Sequence, residues 1–254
     1  MGKDRRRALR SDIVILSLFP GVDLLGMAFE QEGATVVHGP EWMFGRDVRD
    51  FHVPAGRFDL VIGGPPCQVF SSASQMGAES KTDRQDLIPE FIRIANEARP
   101  RAIVMENVRQ AIRHAVIPRD WNVQIVSDWD CGGMTYRERA IFTWPMPIMI
   151  PPRRARNRDG VQGVDYPWNS VMASTWKRGR HDNPTNRRKG FLGGDLPLEF
   201  YAELQGAPLV TERLVEAGGT GVRQLAIHML GNGVPLPMGR HVARQVLAAM
   251  DRME

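Results

Sequence analysis

The sequence predicts an α/β domain built on a mostly parallel, Rossmann-like sheet. Short apolar runs without polar alternation recur along the chain, and stretches of helical periodicity separate them. Runs of that kind are what strands covered on both faces look like, and strands alternating with helices build parallel sheets. The unusual residues Gly21, Glu41, Pro66-Cys67 and Glu106-Asn107 fall just past the ends of these runs. That is where such sheets hold ligands.

Taken in order, Ile13-Val14-Ile15-Leu16 reads as the first strand, broken by Pro20-Gly21. Leu24, Leu25, Ala28 and Phe29 share one helical face, and Gly33 stops that helix. Thr35-Val36-Val37 is a second strand ending near Glu41, and Phe58 to Ile62 a third, stopped by Gly63-Gly64-Pro65-Pro66. Leu87 to Ala98 is helical, with Leu87, Phe91, Ile94 and Ala95 on one face, and Pro100 ends it. Ala102 to Met105, Val123 to Val126 and Ala140 to Phe142 read as further strands, and Gly239 to Met253 as a closing helix. Between Pro151 and Gly194 the chain is rich in Pro, Gly, Arg and Asn without periodicity, as expected of a loop-rich insert. The boundaries expected are 11–148 for a catalytic and cofactor-binding domain, 149–195 for a small basic region, and 196–254 for a return to the first domain.

With 254 residues, 43% hydrophobic and 24% charged, the chain has the make-up of a globular protein with a full core. No run is long enough to span a bilayer. Arg5, Arg6, Arg7 and Arg10 precede an apolar stretch, but it is short, flanked by Asp12 and Asp23, and lacks a cleavage site. Two cysteines give no disulfide framework, so a cytoplasmic setting is expected. Neither a membrane nor a metal is expected as a partner. The net charge is +4, yet residues 153–190 hold eight Arg and two Lys against three Asp. A basic block within a mildly acidic body points to a polyanion.

The residues with most chemistry in them are Gly63-Gly64-Pro65-Pro66-Cys67-Gln68-Val69-Phe70-Ser71. A cysteine just past a strand, stiffened by two prolines, is exposed and reactive as its thiolate. Alone it would more often be a buried structural cysteine. Its company decides otherwise. Leu18-Phe19-Pro20-Gly21, Glu41-Trp42, Asp47-Val48, Met105-Glu106-Asn107-Val108, Arg137-Glu138-Arg139, Leu204-Gln205-Gly206 and Gly231-Asn232-Gly233-Val234 occur in one ordered set. This set resembles the motifs of the cytosine-C5 DNA methyltransferase family. The likeness runs from about Ile13 to the C-terminus, excepting the basic insert.

The resemblance implies a class I methyltransferase sheet carrying a small loop-rich target-recognition module, with S-adenosyl-L-methionine as cofactor and double-stranded DNA as partner. It assigns Cys67 as the nucleophile that attacks carbon 6 of cytosine and so puts electron density on carbon 5. Glu106 would assist through the ring N3 and exocyclic amine, which requires it protonated or sharing a proton; the end of a buried strand favours that state. Arg137 and Arg139, two apart on a strand, would project to one side and hold the nucleotide phosphate and the cytosine carbonyl. Phe19 and Trp42 would flank adenine, Gly21 would let the backbone approach the methionine part, and Glu41 would accept from the ribose hydroxyls. Asp47, Pro66, Leu87, Asn232 and Val234 complete the expected cofactor set.

The target base must leave the duplex to meet a cysteine. Gln68, Ser71, Arg84, Arg153, Arg154, Lys177, Arg178, Arg180, Arg187 and Arg188 are the expected DNA contacts, phosphate binding giving a strong salt dependence. A monomer is expected, since each flipped base needs one active site. Three positions depart from the family: Asp23 stands where a glycine is common and would cap the following helix, Thr135 stands where the arginine motif usually opens with Gln, and the interval from Val108 to Arg137 is short enough to trim a helix. A catalytically silent DNA-binding protein and an RNA cytosine-C5 methyltransferase are the alternatives. A nicotinamide-dependent enzyme is excluded, because the first loop lacks G-x-G-x-x-G.

Overall fold

The computed structural model describes residues 12–40, 47–66, 86–172, 175, 192, 195–208 and 220–253. These divide into two compact units: residues 1–126, 138–150 and 242–254 form the first, and residues 127–137 and 151–241 the second.

The first unit is an α/β layer structure. Its strands are β1 (Val14–Leu18), β2 (Thr35–His38), β3 (Leu60–Gly63), β4 (Ala102–Asn107), β5 (Asn122–Ser127) and β7 (Glu138–Trp144), in the order β2-β1-β3-β4-β7-β5. β1 pairs in parallel with β2 and β3, and β3 with β4. β7 runs antiparallel to β4, with Met105 opposite Phe142 and Glu106 opposite Ile141. Every residue of β3 and β4 is buried, the signature of a sheet covered on both faces.

Helix α1 (Leu24–Gln31) starts at Asp23, whose carboxylate accepts from the Gly26 amide. Helix α2 (Ile88–Ala98) buries Ile88, Phe91, Ile94, Ala95 and Ala98, a stripe repeating every three to four residues. That stripe packs on Leu16, Leu18, Val61, Ile103 and Met105 of the strands. Each large side chain so buried contributes about 1.5–3 kcal/mol, so Phe91→Ala would cost about 3–5 kcal/mol. Two glycines let the backbone close up at the sheet ends. A Cβ on Gly63 would lie 2.4 Å from the Leu18 carbonyl oxygen, and one on Gly39 would lie 2.8 Å from the Leu18 side chain.

The connection from β4 to β5 is short. It holds one four-residue helix, α3 (Ala111–His114), so the helix expected to be trimmed is reduced to a single turn. Beside it an open groove of about 1060 Å³ runs along α2, lined by Val53, Ile92, Val116 and Ile117 among others.

In the second unit, β6 (Thr135–Tyr136) pairs in parallel with β8 (Trp168–Asn169). Helices α4 (Leu198–Leu204) and α5 (Thr220–Asn232) follow, and α6 (Leu236–Met250) begins in this unit. Gln205 joins the pieces: its side-chain amide donates to the carbonyls of Leu230 and Gly233, and its own carbonyl accepts from the Leu236 amide at 2.8 Å. Segments 204–206 and 231–234, far apart in sequence, are thereby interlocked. Among the described residues no helix is long and apolar enough to cross a membrane.

Candidate active site

The end of β4 carries the centre of the site. Glu106 is 6% exposed, and its Oε1 lies 2.7 Å from Nε of Arg139 on β7. Arg139 also donates to the Glu138 carbonyl at 2.8 Å, so the guanidinium is fixed at two points. Antiparallel pairing of β4 with β7 sets this pair, because it brings residues 106 and 139–141 to the same end of the sheet. The second carboxyl oxygen, Oε2, occupies the space that a side chain on Gly64 would need; a Cβ there would stand 2.9 Å away. Asn107 turns the other way. Its amide Nδ2 donates to the Pro65 carbonyl at 3.2 Å, and its Oδ1 accepts from the Val108 amide at 2.8 Å. Asn107 thus holds Pro65 while the Glu106 carboxyl lies beside Gly64, and this segment leads into Cys67. Cys67 itself, with Gln68, Ser71 and Arg84, lies outside the described residues.

The loop after β1 has an unusual backbone. Phe19, Gly21 and Asp23 all have positive φ, at 56°, 55° and 49°. Gly21 adopts this conformation freely, and a Cβ there would meet nothing within 4 Å. Phe19 packs on the core beside α2. Asp47 caps a 3₁₀ turn (Val48–Asp50) and accepts from the Arg49 amide and Nε, both at 2.9 Å. Hydrogen bonds from Arg49 hold its carboxyl down at about 2. Leu87 precedes α2 and packs half-buried on the core, while the neighbouring Asp86 carboxylate caps the helix at the Ile88 amide. Pro66 is half-buried, and Glu41 and Trp42 lie outside the described residues.

Arg137 differs from the expectation of two arginines on one strand. The strand breaks at this residue, between β6 and β7, so simple alternation does not govern the pair. Arg137 is 2% exposed and donates to the carbonyls of Val171 and Gly231, both at 2.7 Å. Its guanidinium is therefore engaged within the second unit, while Arg139 serves Glu106. Thr135, the other departure in this motif, is fully buried and donates twice to Asp128 Oδ2, from its amide at 3.0 Å and its hydroxyl at 2.6 Å. Burial pushes the Asp128 carboxyl up to about 6. Asn232 ends α5 exposed, beside His228, and Val234 is buried.

Of the basic segment, Arg153 is exposed, whereas Arg154 is spent on the fold. Arg154 stacks 3.7 Å above the Trp129 ring and donates to the carbonyls of Gly133, at 3.1 Å, and Val164, at 2.5 Å. Arg156 and Arg158, not singled out from the sequence, stack on Tyr136 and Tyr166 at 4.2 and 5.8 Å. Their spacing of two is the signal that an extended segment offers them to one side. Lys177, Arg178, Arg180, Arg187 and Arg188 lie outside the described residues.

Residues 45–125, which include the Cys67 segment, Glu106 and Asn107, match the family described as C-5 cytosine-specific DNA methylase. Over that stretch the chain is similar to the C-5 cytosine-specific DNA methylases. Similar proteins include the type II methyltransferase M.AquIA of Picosynechococcus sp., 53% identical over 40% of this chain and 52% of that protein. M.NgoMIV of Neisseria gonorrhoeae is 47% identical over 45% of this chain and 44% of its own length. The chain thus spans about half the length of these relatives. Among solved structures, the Entamoeba histolytica methyltransferase EhMeth superposes over 94% of this chain and 98% of its own, with a TM-score of 0.56 at 13% identity. The S. pombe Dnmt2 methyltransferase covers 95% of this chain and 99% of its own, with a TM-score of 0.52 at 12% identity. These two likenesses establish the fold. The family takes its methyl group from S-adenosylmethionine. The left-handed loop past β1, with space beside Gly21, suits such a ligand.

Proposed function

We propose that this chain is a DNA cytosine-C5 methyltransferase that acts on a cytosine flipped from duplex DNA. The observation that carries the reading is the Glu106–Arg139 pair at the end of β4, set against the Gly64-Pro65-Pro66 segment just before Cys67. S-adenosylmethionine, when bound, supplies an electrophilic methyl group; the loop at residues 19–23, Asp47, Pro66 and Leu87 would hold it, with Glu41 and Trp42 at ribose and adenine. The chain's own residues do the rest. The Cys67 thiolate forms a bond to carbon 6, and the C5–C6 double-bond electrons move onto carbon 5. A proton taken up from solvent with the base is held between Glu106 and N3, and the carboxyl accepts a hydrogen bond from the exocyclic amine, drawing charge out of the ring as the thiolate adds. Arg139 keeps that carboxyl from swinging away. Once carbon 5 carries the methyl group, loss of its proton to a base and cleavage of the C6–S bond restore the aromatic ring.

The basic segment that includes Arg153 would hold DNA phosphates, and the names of the type II relatives support a restriction–modification setting. The enzyme would work as a cytoplasmic monomer. Bisulfite sequencing of DNA from a methylation-free bacterial host expressing the chain tests the proposal, with Cys67→Ala beside it. Protected cytosines in one sequence context, absent with the variant, are the expected result. Absence of protection with soluble wild-type protein would overturn it, and methylation of transfer RNA in the same host would move the acceptor to RNA.

A further inference from the structure

Asp23 occupies a backbone conformation that glycine adopts without strain, with φ 49°. Asp and Asn are the side chains that tolerate this region best. Here the carboxylate offsets the strain with three contacts. Its Oδ1 accepts from the Ser17 hydroxyl and from the Gly26 amide, both at 2.9 Å. Its Oδ2 stands 2.9 Å from Nε2 of His38. Ser17 and His38 are register partners across β1 and β2, so the carboxylate closes over one rung of the sheet. Gly26 makes the room, since a Cβ on it would lie 2.1 Å from Oδ2. The Asp23 side chain is 7% exposed, and burial raises its pKa against the opposing pull of Gly26, Ser17 and His38. A buried carboxylate is tolerated where it is paired or hydrogen-bonded, as this one is through Ser17 and Gly26.

We propose that Asp23 is a positioning residue for the cofactor loop, latching residues 19–23 onto β1, β2 and the start of α1 through Ser17, His38 and Gly26. Oδ1 is committed to Ser17 and Gly26 and the buried Oδ2 faces His38, so Asp23 acts through the backbone of Gly21 and not as a ligand. A glycine at this position would leave the loop free to sample other conformations, and binding would have to order it. The latch does that ordering in advance. This rests on the reading of the loop as the S-adenosylmethionine site.

The test is titration calorimetry of S-adenosylmethionine into wild-type protein, Asp23→Gly, Asp23→Asn and His38→Gln, each checked for folding by thermal melting. Asp23→Gly keeps the backbone angle without strain and loses the latch, so its Kd should rise about tenfold, the worth of one charge-assisted hydrogen bond. Asp23→Asn retains an acceptor for Ser17 and Gly26 and should recover most of that loss. His38→Gln, at a side chain 59% exposed, should bind about threefold more weakly. A Kd for Asp23→Gly within twofold of wild type overturns the latch while leaving the donor site intact. If Asp23→Gly does not fold, an unchanged Kd for His38→Gln does the same. Wild-type protein that takes up no S-adenosylmethionine removes the donor reading itself, and the latch with it.

Discussion

Gly64→Ala separates chemistry from folding at one methyl group. The added Cβ would sit 2.9 Å from Glu106 Oε2, whereas ordinary contacts begin near 3.4 Å. The carboxyl must then retreat by roughly 0.5 Å, a shift that catalytic placement does not tolerate well. It has little freedom to do so, because Oε1 is held 2.7 Å from Arg139 and the side chain is almost fully enclosed. Misplacement of a reacting group by about 1 Å costs on the order of a hundredfold in rate, so half that distance costs about tenfold. Radiolabelled methyl transfer to duplex DNA, at saturating S-adenosylmethionine and DNA, should show this fall in turnover with a smaller drop in melting temperature than Gly63→Ala suffers. Gly63→Ala is the contrast. Its Cβ would meet the Leu18 carbonyl oxygen at 2.4 Å, where only backbone movement gives relief, so that variant should lose about 1–3 kcal/mol of stability. Turnover of Gly64→Ala within twofold of wild type would refute the assignment of Glu106 to the reacting base.

Arg139→Leu leaves the Glu106 carboxylate enclosed without its partner; urea unfolding should record a loss of about 2–4 kcal/mol, together with loss of methyl transfer. Asp128 carries a pH signature: burial holds its folded-state pKa near 6 against an ordinary 3.8. The folded protein keeps a proton that the unfolded chain gives up in that window, so this group's contribution is greatest below about pH 4 and is lost as pH rises through 6. That amounts to at most about 3 kcal/mol. Stability measured by urea from pH 4 to 7 should fall by less in Asp128→Asn than in wild type. Arg154→Ala should cost about 2 kcal/mol, through the lost Trp129 stacking and carbonyl hydrogen bonds, without changing the salt dependence of DNA binding. Arg153→Ala should do the reverse, lowering the slope of log K against log salt by about 1.

Much of the first unit was legible because its strands are buried on both faces and so read as plain apolar runs. Leu60 to Gly63 and Ala102 to Asn107 are the clearest cases. The direction of β7 was not legible. Ala140 to Phe142 looks the same whichever way the strand runs, and the short turn at 128–134 decides it. Helix α5 is hard to read from the sequence because Thr220, Gly221 and Gly231 are weak helix formers, and its end coincides with a motif that reads as a loop. Helix α6 begins three residues before the expected Gly239, at Leu236, with Pro237 tolerated in the first turn, where no amide partner is needed.

At the site, residue types were legible and their partnerships were not. Glu106 and Arg139 could be named from short strings, but their contact depends on antiparallel register between β4 and β7. The same limit explains Arg137, where strand alternation assumed a continuous strand across a residue at which it breaks. Asp23 shows both halves of the matter. As a polar residue before an apolar helical stripe it is a recognisable cap, and its carboxylate accepts from the Gly26 amide. Nothing local in the chain links it to His38, because that link runs through the pairing of Ser17 with His38 across two strands. A residue that departs from the pattern the sequence resembles is therefore best judged by what it touches. In this chain Asp23 and Thr135 both exchange the family's usual residue for a buried, hydrogen-bonded staple, one in each unit.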